Sequence, residues 1–271
     1  MATEPQVETQ FNGLEMLFVD APFDKVKTAL EKEGAKISPV QQVAQARIVA
    51  GKDSHVSQYG SWTAENIVYL PNGTIYITSS DFSPILKHTS EATEAHRKGN
   101  EFYISENELE EIIKTAKTDR KVVYSKQRVY TQKKTESYEI PIKKFAKDSL
   151  AQFLFKDTAA DYAAFLQNAG IKEVPVWLVG AEHQKEQKKP FARALWFRGL
   201  GLRSVLGGFS RALLYYGRAR GVRNASEASK TQKTAGTANA YESIAQNYVK
   251  SPAELQQVLE KYSQIKDLLK E

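Results

Sequence analysis

The sequence predicts an α+β protein with a mixed or antiparallel sheet, flanking helices, a basic glycine-rich extension and a C-terminal helical tail. Two observations predict this class: strand-like runs joined by tight-turn signals, and amphipathic helical segments between those runs. The 271 residues, 41% of them hydrophobic, suffice for such a body. We expect an α+β body at residues 1–180, a basic Arg/Gly/aromatic segment at 181–223, a polar linker at 224–240 and a helical tail at 241–271.

The first elements alternate between strand and helix. Residues 14–19 are typical of a buried strand, and Ala21-Pro22 then starts a helix, because proline at the first helical position loses no needed donor. A second strand is predicted at 43–50. A β-hairpin is predicted at 67–78, where Asn72-Gly73 readily adopts the positive φ angles of a tight turn.

The middle of the chain continues the same pattern. Ser105 and Glu108 match a capping box and predict the start of a helix. A β-rich stretch is expected at 121–130 and at 138–142, and residues 174–179 are typical of a strand buried on both faces. These elements complete the predicted body.

Positive charge is concentrated in one segment. Lys and Arg number 38 against 32 Asp and Glu, so the formal net charge is +6. Residues 187–226 hold nine Lys or Arg and no Asp or Glu, and the rest of the chain is therefore net negative. Seven of the nine are Arg, interspersed with aromatic residues and with six of the chain's fifteen glycines. The basic excess of the protein is thus local.

Arginine and aromatic residues together are typical of nucleic-acid binding, because guanidinium groups pair with phosphate and rings stack on bases. A turn at 216–223 is predicted to bring backbone N–H groups and three arginines together on phosphate. The candidate nucleic-acid-binding residues of this basic segment are Arg193, Trp196, Arg198, Arg203, Arg211, Tyr215, Tyr216, Arg218, Arg220 and Arg223.

A second basic band lies on or beside a predicted strand pair and could extend one charged groove across a sheet face. The alternative interpretation is that exposed strands carry lysine to discourage edge pairing. The candidate binding residues of this band are Arg120, Lys121, Tyr124, Lys126, Arg128 and Tyr130, with Lys133 and Lys134 beside them.

Three alternatives stay open for the basic segment: ion pairs within the chain, an acidic protein partner, and a membrane surface or small anionic ligand. An amphipathic helix would place Phe191, Leu195 and Leu202 on one face. Four glycines in that stretch would cost such a helix about 4 kcal/mol. Short elements joined at glycines are therefore favoured, and membrane-surface contact is not excluded.

Catalytic and metal-binding signatures do not stand out. There is no Cys, and the sequence contains no phosphate loop of the GxxxxGK[ST] type, GxSxG, HExxH or EF-hand pattern. His88, Glu91 and His96 are not spaced to place both imidazoles on one helical turn. We therefore expect no catalytic residues, metal site or cofactor, although carboxylates scattered in sequence could still assemble a metal-dependent enzyme acting on nucleic acid.

The sequence favours a non-catalytic DNA- or RNA-binding protein of low sequence specificity. The main alternative is a structural subunit of a virion or multiprotein complex whose basic segment docks an acidic partner. Apolar residues at heptad spacing in 251–271 leave two interpretations open: a homo-oligomer formed through this helix, or packing of the helix on the body. We expect no signal peptide or transmembrane segment and a reducing, cytoplasmic location, with the virion as an alternative.

Overall fold

The structure is a computed structural model that describes residues 4–208, 213 and 217–225. The α+β class is confirmed, because helices flank one mixed sheet with twelve strands in the described part of the chain. The chain divides into the units Met1–Arg223 and Asn224–Glu271, and the first of these is the body described below. The predicted linker beyond residue 225 and the helical tail at 241–271 lie outside the described residues.

The strands of the sheet are β1 (Gln6–Phe11), β2 (Leu14–Asp20), β3 (Lys36–Ile37), β4 (Ser61–Tyr69), β5 (Ile75–Thr78), β6 (Phe102–Tyr103), β7 (Val129–Gln132), β8 (Tyr138–Pro141), β9 (Glu173–Trp177), β10 (Phe191–Phe197), β11 (Leu206–Gly207) and β12 (Arg218–Asn224). The main path of the sheet runs β1-β2-β12-β4-β10-β11-β9-β8, while β3, β5, β6 and β7 pair beside it. Strand β12 is parallel to β4 and β11 is parallel to β9, so the sheet is mixed.

Helices cover both faces of the sheet. Strand β4 is buried along its whole length, with Ile67 and Tyr69 in one hydrophobic cluster and Val68 in the other, as the alternation of side chains along a strand requires. The helices are α1 (Phe23–Lys32), α2 (Val40–Ala50), α3 (His55–Gln58), α4 (Pro84–Lys87), α5 (Thr89–Arg97), α6 (Glu106–Asp119), α7 (Ile142–Phe145), α8 (Ser149–Phe155), α9 (Ala159–Asn168) and α10 (Ala181–Glu186).

Two local sequence signals are confirmed. β4 and β5 form the predicted hairpin, with Ile67 opposite Ile77, and Gly73 in its turn has φ +86°. The side chain of Ser105 accepts a hydrogen bond from the backbone N–H of Glu108, and the carboxylate of Glu108 accepts one from the backbone N–H of Ser105, which completes the capping box of α6. Both signals act within a few residues, so sequence alone sufficed to find them.

The strand predicted at 43–50 is wrong, because these residues form helix α2. The helix starts after Pro39, and both carboxylate oxygens of Glu65 accept from the Val40 N–H at 3.1 Å. Residues on several sides of α2 are buried, so its apolar residues do not show the one-sided period that identifies a surface helix.

The basic segment belongs to the body rather than extending from it. β10 and β12 lie on either side of β4, in the interior of the sheet. Residues 191–208 form short elements instead of one continuous helix: β10, a 3₁₀ turn at Leu200–Leu202, and β11. The predicted turn at 216–223 is wrong, because 218–224 is strand β12. Gly217 precedes this strand, and a Cβ atom there would lie 1.7 Å from the ring of Trp62.

Candidate functional site

The one arginine of strand β10, Arg193, points into the protein interior. The Arg193 side chain is 6% exposed, and its Nε and Nη2 atoms donate to the two oxygens of Glu101 at 3.0 and 2.5 Å. Glu101 is 2% exposed and also bonds His183 at 2.9 Å. A bidentate pair of this kind satisfies the carboxylate inside the protein. Arg193 is therefore a structural ion-pair partner in this fold.

Alternation along β12 places Arg218 and Arg220 on one face of that strand. Arg220 is fully buried and donates from Nε and Nη2 to Glu8 at 2.5 and 2.8 Å. Arg218 donates to both oxygens of Asp20 at 2.8 and 2.7 Å, and its guanidinium carbon lies 4.5 Å from the ring centroid of Phe18. Both arginines thus tie β12 to acids of β1 and β2.

The Glu8 carboxyl shows how strongly this pairing acts. Burial by itself would raise the pKa of Glu8, but hydrogen bonds and charge from Arg220, with a smaller contribution from His55, outweigh burial and lower that pKa. Burial has the opposite effect on the guanidinium and lowers the pKa of Arg220, although Glu8 opposes this shift. The pair is therefore charged and almost completely removed from water.

The remaining charged contacts of the basic segment follow the same pattern. Arg223, on the other face of β12, is 5% exposed and reaches Glu15 at 2.7 Å and Glu33 at 2.8 Å. Arg203 is half exposed and bridges Glu139 at 3.2 Å and Glu173 at 2.8 Å. The guanidinium groups of these arginines already pair with acids of the same chain. This geometry conflicts with the prediction that they contact phosphate.

The other predicted binding residues of the basic segment differ in exposure and in contacts. Trp196 is half-buried, with its ring at right angles to that of Trp62 and the centroids 5.2 Å apart. Arg198 lies over Trp177, 5.1 Å from the ring centroid, and has no ion pair with a described residue. The predicted contacts Arg211, Tyr215 and Tyr216 lie outside the described residues.

The second basic band is a loop rather than a strand over its first half. A single 3₁₀ turn, Tyr124–Lys126, lies between the end of α6 and β7, so the strand predicted at 121–130 is wrong before residue 129. Arg128 pairs with Asp119 at 3.2 Å, and Lys126 is exposed. Tyr130 is buried in β7 and cannot offer a ring face to an external base.

This loop forms one wall of a cleft of about 590 Å³, which we name the basic cleft. Three exposed cations contribute to it, and none of them has an ion pair with any residue in the described ranges: Arg120, Lys121 and Lys133. Apolar groups and tyrosines form the rest of the surface. The residues that line the basic cleft are Ala116, Arg120, Lys121, Val122, Val123, Tyr124, Gln127, Val129, Tyr130, Thr131 and Lys133.

Two buried polar side chains hold the loop in place. The amide of Gln127 donates to the carbonyl oxygens of Asp119 and Val122, both at 2.9 Å. The Asp119 carboxylate accepts from the backbone N–H groups of Arg128 at 2.6 Å and Val129 at 3.0 Å. These bonds replace a strand ladder and fix the cleft wall. Sequence reasoning missed both residues, because buried Gln and Asp look like ordinary surface residues in a sequence.

The described residues form neither a metal cluster nor a membrane-spanning helix. No group of three or more His, Cys, Asp or Glu side chains among them is placed to hold a metal ion. None of the helices that the structure describes is both long and apolar enough to cross a membrane.

Comparison with known proteins adds one likeness of fold. No protein-family model matches the sequence. No curated protein matches it either. One solved structure matches with a TM-score of 0.50 at 12% sequence identity. Its description concerns the accommodation of massive sequence variation in Nanoarchaeota by the C-type lectin fold. The match covers 77% of this chain and 96% of that chain, and at such identity it concerns the fold alone.

Proposed function

We propose that the protein is a non-catalytic nucleic-acid-binding protein of low sequence specificity, and that the basic cleft holds the ligand. The observation that carries the proposal is the set of three exposed cations around the cleft without an acidic partner in the described chain: Arg120, Lys121 and Lys133. Such cations can neutralise phosphates and thereby release the counterions condensed on the nucleic acid, which is the main source of non-specific affinity.

The composition of the cleft supports a ligand that carries both charge and rings. Residues 120–134 contain six Lys or Arg and no Asp or Glu, and the carboxylate of the preceding Asp119 is buried against Arg128. Tyr124 is partly exposed on the same surface, beside the exposed side chains of Val122 and Val123. Contacts to phosphate and to ring faces carry little sequence information, which accounts for the proposed low specificity.

The fold likeness is compatible with a fixed scaffold that carries its ligand contacts on a loop. The Nanoarchaeota structure is described as a C-type lectin fold that accommodates massive sequence variation. Under our proposal, the buried arginine pairs of β10 and β12 hold the scaffold of this chain. The loop between α6 and β7 is then free to carry the ligand contacts.

Salt dependence of binding to a labelled oligonucleotide tests the proposal. We expect the triple variant Arg120→Gln/Lys121→Gln/Lys133→Gln to bind more weakly at low salt in fluorescence anisotropy. The slope of log affinity against log salt should become shallower by about 2, because each lost phosphate contact on a single strand contributes about 0.7. Unchanged affinity and slope would overturn the assignment to the basic cleft.

A matched control separates the cleft from general surface charge. Lys143, Lys144 and Lys147 are exposed lysines that do not line the basic cleft. Changing all three to Gln removes the same formal charge from the chain. We expect this control to change affinity much less than the cleft variant. Equal losses in the two variants would mean that net charge, rather than the cleft, accounts for binding.

A further inference from the structure

We infer that the ligand of the basic cleft is a single strand with unpaired bases rather than a duplex; this inference rests on the proposed function and specifies its ligand class. The cations line a half-open cleft that they share with tyrosine and valine side chains. A duplex keeps its bases stacked inside and presents phosphates outside, so it could use the charges of the cleft but not its ring and apolar surfaces.

Tyr124 is the side chain placed to meet a base. It is only partly buried, and its ring lies 5.9 Å from that of Tyr130 at an angle of 67°. Tyr130 is itself held in place, because its ring stacks on Phe153 at 5.5 Å and its hydroxyl bonds Ser149 at 2.7 Å. Tyr124 therefore rests on a fixed ring while part of its surface faces the cleft.

The valines beside Tyr124 extend this apolar surface. Val122 is 37% exposed and Val123 is 63% exposed, so both offer apolar surface beside the cations of the cleft. The buried amide of Gln127 holds the Val122 carbonyl at 2.9 Å, so the loop cannot readily fold these side chains inward. A surface that is already ordered loses less conformational entropy when a base covers it.

The volume of the cleft agrees with one or two nucleotides. Ligand sites for small molecules typically measure 300–1,000 Å³, and the basic cleft measures about 590 Å³. A nucleotide unit brings a phosphate and a flat ring to the same place, which matches cations and a tyrosine sharing one cavity. A polyanion without rings would leave Tyr124, Val122 and Val123 unused.

Fluorescence anisotropy with three labelled ligands of about 12 nucleotides tests the inference, because it compares their affinities for the protein. The ligands are a mixed-sequence single strand, its duplex, and an abasic strand that has phosphates but no bases. We expect the single strand to bind about tenfold more tightly than either of the others. Tyr124→Leu should remove about tenfold from single-strand binding, as expected for one stacked base, and leave abasic and duplex binding unchanged.

The outcomes separate this inference from the proposed function. If the duplex or the abasic strand binds as tightly as the single strand, the single-strand inference is overturned while nucleic-acid binding stands. If none of the three ligands binds, the proposed function fails and the inference fails with it. Val123→Ser is a second variant for the case in which Tyr124→Leu does not fold; it should weaken single-strand binding alone, and equal weakening of abasic binding would overturn the inference.

Discussion

The arginines of β10 and β12 and the cations of the basic cleft carry the same charge in different surroundings. Arg193, Arg220 and Arg223 have side chains at most 6% exposed, each against a carboxylate. Arg120 and Lys121 are exposed and have no ion pair within the described part of the chain. Among the described arginines of the basic segment, all but Arg198 pair with an acid, whereas Arg120 and Lys121 do not.

The difference teaches that local charge density does not identify a binding surface by itself. An arginine in a central strand is removed from water on folding, and its charge must then be compensated inside the protein. A cation after the end of a helix, as at Arg120, keeps its hydration and needs no partner. Strand position therefore decides whether a basic residue stabilises the fold or faces the solvent.

The largest expected effect concerns the buried pair of Arg220 and Glu8. Arg220→Met should lower the free energy of unfolding by about 3–5 kcal/mol, because it leaves the Glu8 carboxylate buried without its partner. Urea denaturation followed by circular dichroism measures this change. The double variant Glu8→Gln/Arg220→Met removes both charges and should recover most of the lost stability. If Arg220→Met were as stable as the parent, Arg220 would contribute no more to stability than an exposed cation, and the expectation would be wrong.

Glu65 sharpens the comparison, because it is a buried carboxylate that has no arginine partner among the described residues. Burial raises the pKa of Glu65 from 4.5 to about 7, the opposite direction to Glu8. The native state therefore keeps a proton that the unfolded chain releases. The resulting stabilisation is fully present below about pH 4.5 and is lost as pH rises to about 7, on the order of 3 kcal/mol in total.

Glu65→Gln cannot titrate and should lack this part of the pH dependence. Urea denaturation of parent and variant at about pH 5 and about pH 8 measures it. Between these two values the parent should lose stability relative to the variant. Parallel profiles for the two proteins would show that Glu65 has an ordinary pKa in the folded state.

Arg203 provides an intermediate case between the two regions. Its side chain is 50% exposed, and solvent screens its contacts with Glu139 and Glu173. Arg203→Gln should therefore lower the free energy of unfolding by at most about 1 kcal/mol. Thermal or urea unfolding detects a change of that size. If Arg203→Gln lost as much free energy of unfolding as Arg220→Met, exposure would not distinguish arginines that stabilise the fold from those that do not.

The smallest expected effect on stability is at the basic cleft. Changing Arg120, Lys121 and Lys133 together to Gln should leave the free energy of unfolding within about 0.5 kcal/mol of the parent, because these exposed side chains have no ion pair in the described chain. The same denaturation series measures it. A large loss of stability would show that the cleft cations hold the fold, as those of β12 do.

Sequence reasoning succeeded where the interacting residues are close along the chain. The hairpin around Gly73 and the capping box of Ser105 and Glu108 are examples. It failed at α2, where burial on several sides hides the helical period, and at 121–127, where a buried Gln and Asp organise a loop instead of a strand. Both failures come from tertiary contacts that override local preference.

The candidate site shows the same division. The basic residues of 120–134 could be found by counting charges, and so could those of β10 and β12. Their partners could not be found in this way, since Arg220 and Glu8 are 212 positions apart. The net negative charge of the remaining chain was the available signal, but it does not say which acid meets which arginine.

The sequence by itself determined the α+β class, the local turns and caps, and the location of the two basic stretches, because each depends on residue type and short spacing. Only the tertiary structure decided which positive charges are neutralised. It brings the acids of β1 and β2 against β12, and it leaves Arg120, Lys121 and Lys133 without an ion pair among the described residues. Burial and pairing of charge depend on distance in space, which spacing along the chain does not determine.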